Sequence, residues 1–98
     1  MSSRSSRRAP GKPVARDIGG TGEFFDDFEY WLTEDVKTAR RLLRLMRLTA
    51  RDPFEGIGKP EPLKGLEGCW SRRLTGEHRF VYRVTPTTLV CLQARFHY

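Results

Sequence analysis

The 98-residue sequence predicts an α+β domain, a helical hairpin packed on a twisted antiparallel β-sheet. Three observations predict it. Apolar residues recur at three- and four-residue steps between Phe24 and Ala50, as on one face of a helix. A stretch rich in Pro and Gly follows from Pro53 to Gly68, which breaks regular structure. Beyond it, three runs alternate with period two, the mark of strands. Helices first and a sheet after them is the α+β order.

Residues 1–16 read as a basic tail rich in Ser, Arg and Pro, for which disorder is expected, with one folded domain over residues 17–98. No apolar stretch follows the tail, so it does not read as a secretory signal. The apolar runs fall short of the ~18 residues a membrane span needs. A cytoplasmic protein with no membrane partner is the expectation. Ile18 to Gly22 holds three glycines and suits only a weak edge strand or a turn.

A helix is expected from about Glu23 to Leu32, with Phe24, Phe28 and Trp31 on one face. Thr33 is a suitable N-cap for a second helix, and Glu34 and Asp35 favour its positive end. Val36, Ala39, Leu43, Met46 and Ala50 form the apolar stripe of that helix, Leu42, Leu45 and Leu48 widen it, and Lys37, Arg40, Arg41, Arg44 and Arg47 cover the rest. Pro53 stops it. So short a link makes the pair antiparallel. Three strands are expected over Cys69–Leu74, His78–Val84 and Thr88–Phe96, joined by short turns as a meander. Trp70, Arg72 and Leu74 share one side of the first; Phe80, Tyr82 and Val84 lie opposite Arg79, Val81 and Arg83 on the second.

The net charge of +6 is unevenly spread. Arg4, Arg7, Arg8, Lys12 and Arg16 supply +5 before the first acid, which leaves 13 bases against 12 acids. From Lys59 onward, seven bases face only Glu61, Glu67 and Glu77. That local excess suits a phosphate-bearing partner, although a solvated charged face has the same signature. Cys69 and Cys91 are too few and too far apart for a disulfide framework or zinc site, and each sits in an apolar run where a buried thiol is expected. With His78 and His97 they make no familiar metal spacing, so no metal or other cofactor is expected.

The residues suited to chemistry lie late in the chain. Glu61 stands between Pro60 and Pro62, which excludes the helical region for it and stiffens the backbone into an extended arm. Arg79 opens the central strand, with Arg73 and Arg83 near it; such guanidinium forks read phosphate, although a strand Arg more often pairs with an acid. His97 and Tyr98 follow a strand, and an imidazole can exchange a proton near neutrality. A carboxylate, an imidazole and several cations are the parts needed to cleave RNA without metal: a base for the 2′-hydroxyl, cations for the phosphate and an acid for the departing 5′-oxygen. Composition permits this chemistry without selecting it.

The run Asp52-Pro53-Phe54-Glu55-Gly56-Ile57-Gly58-Lys59-Pro60-Glu61-Pro62-Leu63-Lys64 resembles the signature loop of the YoeB (Txe) toxins of the RelE superfamily. The likeness continues through Gly68 to Leu74, Glu77 to Tyr82 and the terminal Ala94-Arg95-Phe96-His97-Tyr98. It reaches back to Asp26–Trp31. The resemblance implies a RelE-like, microbial-RNase-like fold and an endoribonuclease that cuts mRNA in the ribosomal A site, halting translation. It implies a YefM-type antitoxin, through which the pair meets operator DNA, and leaves room for a homodimer. At matching positions Glu61 becomes the general base, His97 the general acid and Arg79 the phosphate stabiliser. Tyr98 completes the site, and Lys64 assists beside Lys59, Arg73 and Arg83. Family members usually begin with a strand carrying a large apolar residue, which Arg16–Gly22 lacks, so a short or missing first strand is expected.

Two other readings fit the same residues. One is a non-enzymatic RNA- or ribosome-binding module, since aromatic and basic residues alternate on its strands. The other is a degenerate toxin serving as co-repressor with its antitoxin.

Overall fold

The computed structural model describes residues 15–96. The elements run β1 (Asp17–Gly20), α1 (Gly22–Glu34), α2 (Val36–Arg51), β2 (Glu61–Pro62), β3 (Cys69–Thr75), β4 (His78–Val84) and β5 (Thr88–Gln93). The strands form one sheet in the order β1-β5-β4-β3-β2, and both helices cover one face of it. No described helix is long and apolar enough to cross a membrane.

The hairpin forms as expected, with its cap moved. Thr21 accepts from the Phe24 N–H and starts α1, which runs on through Thr33 to Glu34. Asp35, not Thr33, caps α2: its carboxylate takes the Thr38 N–H at 3.3 Å and the Thr38 hydroxyl at 2.9 Å. The Asp35 N–H still bonds Trp31 O, so α1 continues until the next helix begins. The Thr38 side chain and backbone bonds hold the Asp35 carboxyl below its ordinary pKa of 3.8. A lowered pKa stabilises the fold above that ordinary value, and the gain is lost as pH falls through the lowered one. Asp35→Ala is therefore expected to lower the denaturation midpoint at neutral pH, with the two proteins converging below pH 3.8. A gap that persists in acid would show that the charge does not act.

The first strand is present despite its glycines. β1 pairs in parallel with β5, Asp17 opposite Thr88 and Gly20 opposite Cys91, so this edge departs from the antiparallel plan. Gly20 has a steric reason: a Cβ there would lie 2.9 Å from the rings of both Phe24 and Phe25. The folded unit also takes in two residues ahead of β1. Ala15 packs on the core, and Arg16 donates from its backbone to Ala50 O and from Nε to Thr85 O. The rest of the basic tail, residues 1–14, lies outside the described residues.

The core gathers Phe24 and Trp31 from α1, Leu42 and Leu45 from α2, and Leu74, Phe80, Tyr82, Leu89 and Cys91 from the sheet. Each such side chain contributes about 1.5–3 kcal/mol when fully buried. Both cysteines are buried free thiols, and burial pushes the Cys91 thiol up to about 12. β5 is shorter than its pattern promises. It ends at Gln93 rather than Phe96, and Leu92 is an extra residue between the pairs Tyr82–Cys91 and Val81–Gln93. This bulge breaks the alternation, so that Cys91 and Ala94, three apart, both face inward. Ser71, Arg73, Arg79, Val81 and Arg83 line the opposite face, away from the helices.

Candidate active site

The loop before Glu61 is built around a buried arginine. Arg72 lies in the inward row of β3 and is 1% exposed. Its guanidinium donates to the carbonyls of Asp52, Glu55 (2.7 Å) and Ile57 (3.1 Å), while Nε donates to the Tyr82 hydroxyl at 3.3 Å. Tyr82 in turn donates to Pro53 O at 2.7 Å, so two core side chains hold the carbonyls of residues 52–57. Carbonyl dipoles around a buried cation replace the water it has lost. Gly58 then presses on β3: it accepts from the Arg73 N–H at 2.7 Å, and a Cβ would lie 2.9 Å from Arg73 O. Its φ of +85° and that of Lys59, +52°, turn the chain sharply into Pro60.

The arm that follows is extended, as the two prolines require, and forms β2. Glu61 pairs with Ser71 and Pro62 with Trp70. That register sets the Glu61 carboxylate on the outer face, 3.7 Å from Arg79 Nη2. Ser71 stands between them. Its hydroxyl accepts from Arg79 Nε at 2.9 Å and its carbonyl from Nη2 at 3.4 Å, which fixes the plane of the guanidinium. The Arg79 side chain is 21% exposed and that of Glu61 65%, so the carboxylate is the freer of the two. Glu61, Leu63, Ser71, Arg79 and Val81 line a pocket of about 160 Å³.

Residues 94–96 run to the same part of the sheet as a hook rather than as a strand. Trp31 Nε1 donates to Ala94 O at 2.8 Å, and Asp27 accepts from the Ala94 N–H at 2.9 Å. Burial raises the Asp27 carboxyl above its ordinary pKa, against the opposing pull of that N–H and of Arg95. The Arg95 guanidinium lies 3.6 Å from the centre of the Tyr30 ring. Phe96 has φ +58°; its N–H donates to His78 Nδ1 at 2.7 Å, and its carbonyl accepts from the Arg79 N–H at 2.8 Å. Phe96 thus adjoins Arg79 through the backbone. His97 and Tyr98, the next residues in sequence, lie outside the described residues.

Of the other expected residues, Arg73 is the cross-strand partner of Arg79 and exposed on the same face. Lys59 and Lys64 flank the arm, both exposed. Arg83 is left behind: it lies four residues along β4 from Arg79, about 13 Å at the usual rise, opposite Cys69 and Val90. Ser71, Arg72, Asp27, Trp31 and His78 were not among the expected site residues. For Arg72 there was a signal, a cation sharing one strand face with Trp70 and Leu74.

A family model, the YoeB-like toxin of bacterial type II toxin-antitoxin systems, matches residues 21–98. The chain belongs to this family. The match takes in both helices and strands β2 to β5, and begins just after β1. Toxin YoeB of Mycobacterium bovis is 51% identical over 84 residues, covering 85% of this chain and 99% of the relative. Two Staphylococcus aureus structures share the YoeB fold, a YoeB dimer at TM-score 0.80 and a heterotetrameric YoeB–YefM toxin–antitoxin complex at 0.76. Each is 34% identical, and each match covers 87% of this chain and 100% of the other. The two helices on a five-stranded, mostly antiparallel sheet are therefore a YoeB-type architecture.

Proposed function

We propose that this YoeB-family chain is a ribosome-dependent endoribonuclease that cuts mRNA in the ribosomal A site by metal-free acid–base chemistry. The observation that carries the reading is the Glu61–Ser71–Arg79 cluster, with its carboxylate and guanidinium 3.7 Å apart on an open face. A phosphate entering this face competes with Glu61 for Arg79 and frees the carboxylate. Glu61 then takes the proton of the 2′-hydroxyl, whose oxygen attacks the adjacent phosphorus. Arg79, aimed by Ser71, stabilises the charge that develops on the phosphate oxygens. His97 protonates the departing 5′-oxygen, and Tyr98 completes the site beside it. Lys64, Lys59 and Arg73 attract the neighbouring phosphates, with Arg83 further along the strand. The product is a 2′,3′-cyclic phosphate or the 3′-phosphate to which it opens.

The S. aureus complex supports a YefM-type antitoxin as partner, and the S. aureus dimer supports self-association. Operator DNA is reached through the antitoxin, and ribosome and mRNA place the chain in the cytoplasm. Incubation with ribosomes carrying a defined mRNA tests the reading. New RNA ends within the A-site codon, bearing cyclic or 3′-phosphate, are expected. Firm ribosome binding without new ends would instead make the chain a binding module or a co-repressor.

A further inference from the structure

We propose that the outward face of α2 is a second RNA-backbone contact, on the side of the molecule away from the candidate active site. The proposal rests on the RNA-directed reading above only in taking RNA as the polyanion. Val36–Arg51 contains six cations and no carboxylate. At about 100° per residue, Lys37, Arg40, Arg44, Arg47 and Arg51 fall within about 80° of one another. Leu42, Leu45 and Thr49, which face the sheet, lie on the opposite side of the helix.

All five are exposed, and they extend over about 21 Å of helix, one cation every ~5 Å. A duplex strand carries one negative charge per about 3.4 Å of axis, so the stripe can face a run of phosphates. Four of the five are arginines, whose planar fork suits phosphate better than ammonium does.

No ion pair among the described residues ties down this stripe. Asp35 lies near Lys37 and Asp17 shares a cleft with Arg47 and Arg51, which leaves Arg40 and Arg44 at its centre without an acid in ion-pair range. The ion pair of Arg79 with Glu61 is the only one among the described residues. Like charges also meet along the helix at Lys37/Arg41, Arg40/Arg44 and Arg47/Arg51, an arrangement that weakens an isolated helix. Lys37 lies at the positive end of the helix dipole, where a cation is disfavoured. A polyanion relieves all of these repulsions at once. A protein partner fits less well, because a helix read by a groove presents apolar anchors at such spacings. Here every one of those positions is a cation.

The test is a triple substitution, Arg40→Gln, Arg44→Gln and Arg47→Gln, in the full chain, with Gln chosen for its comparable helix propensity. Vacant 70S ribosomes are the probe, and affinity is measured across a salt series. Loss of three phosphate contacts should make the log–log salt slope shallower by about two to three and weaken binding at least tenfold near 0.1 M salt. Lysine at the same three positions should restore both. The Gln variant should keep or slightly raise its denaturation midpoint, since all three side chains are exposed and their mutual repulsion is removed. An unchanged slope and affinity overturns the proposal. So does a variant that keeps its ribosome affinity and loses its grip on a YefM-type antitoxin, which would make the stripe a protein surface. If the wild-type chain binds through the stripe yet leaves programmed mRNA uncut, the enzyme reading fails and the stripe stands.

Discussion

Arg72→Met is expected to destabilise the chain by about 3 kcal/mol, a large share of the ~5–15 kcal/mol typical of a small domain. Methionine fills much of the volume but donates nothing. Asp52 O, Glu55 O, Ile57 O and the Tyr82 hydroxyl then lose a donor together. Each buried acceptor left unsatisfied costs about 1–3 kcal/mol, and water reaching the loop recovers part of that. Removing the buried charge returns part as well. Chemical denaturation measures the net effect, and a fall in melting temperature of roughly 4–8 °C per kcal/mol should accompany it. Amide exchange should quicken at residues 52–59 before it does in the β4 core. Arg72→Lys should rescue little, because one ammonium cannot reach carbonyls spread over six residues of loop. Wild-type stability in Arg72→Met would mean that the loop stands without its central donor.

Glu61→Gln is expected to lower cleavage on programmed ribosomes by about 10²–10⁴-fold, the usual worth of a positioned base. The amide keeps the size of the side chain, and the flanking prolines keep the arm extended. Stability should hardly move, because the Glu61–Arg79 pair is largely open to solvent on the carboxylate side. Ser71 still holds the guanidinium from behind. Ribosome affinity should hold or rise, since a negative charge leaves a phosphate-facing surface. Single-turnover rates at saturating protein separate the two effects. Cleavage at the wild-type rate would remove Glu61 as the base.

Much of the architecture was legible because each element had a local cause. The helical stripes, the Pro–Gly loop and the period-two strands are short-range patterns, and each gave an element of the expected kind, although Val36 and Leu43 of the α2 stripe are exposed and the last strand stops at Gln93. The Glu61 arm was legible for the same reason: two prolines act on their immediate neighbour. What escaped depends on partners far away in sequence. Gly19 and Gly20 look like poor strand material until the Phe24 and Phe25 rings lie over Gly20. The Leu92 bulge has no mark of its own, so the expected strand ran past Gln93 to Phe96. One miss was local: Thr33 and Asp35 are both good caps, and the Thr38 N–H and hydroxyl both bond to Asp35. At the site, Glu61 and Arg79 could be named separately. Ser71, which sets their geometry, is an ordinary strand serine until the register places it opposite Glu61.

The strand order has a consequence for how the chain is made. β5, the last strand in sequence, lies inside the sheet between β1 and β4. Synthesis is vectorial, so β1 emerges early and has no hydrogen-bonding partner until Thr88–Cys91 arrive. The same late segment brings Ala94 to Trp31 and Asp27, and Phe96 to Arg79. A nascent chain that stops short of Thr88 therefore carries Glu61 and Arg79 on an unfinished sheet. Parallel closure between distant segments is a slow, late folding event. A chain of this topology completes the sheet behind Glu61 and Arg79 only after nearly all of it has been translated.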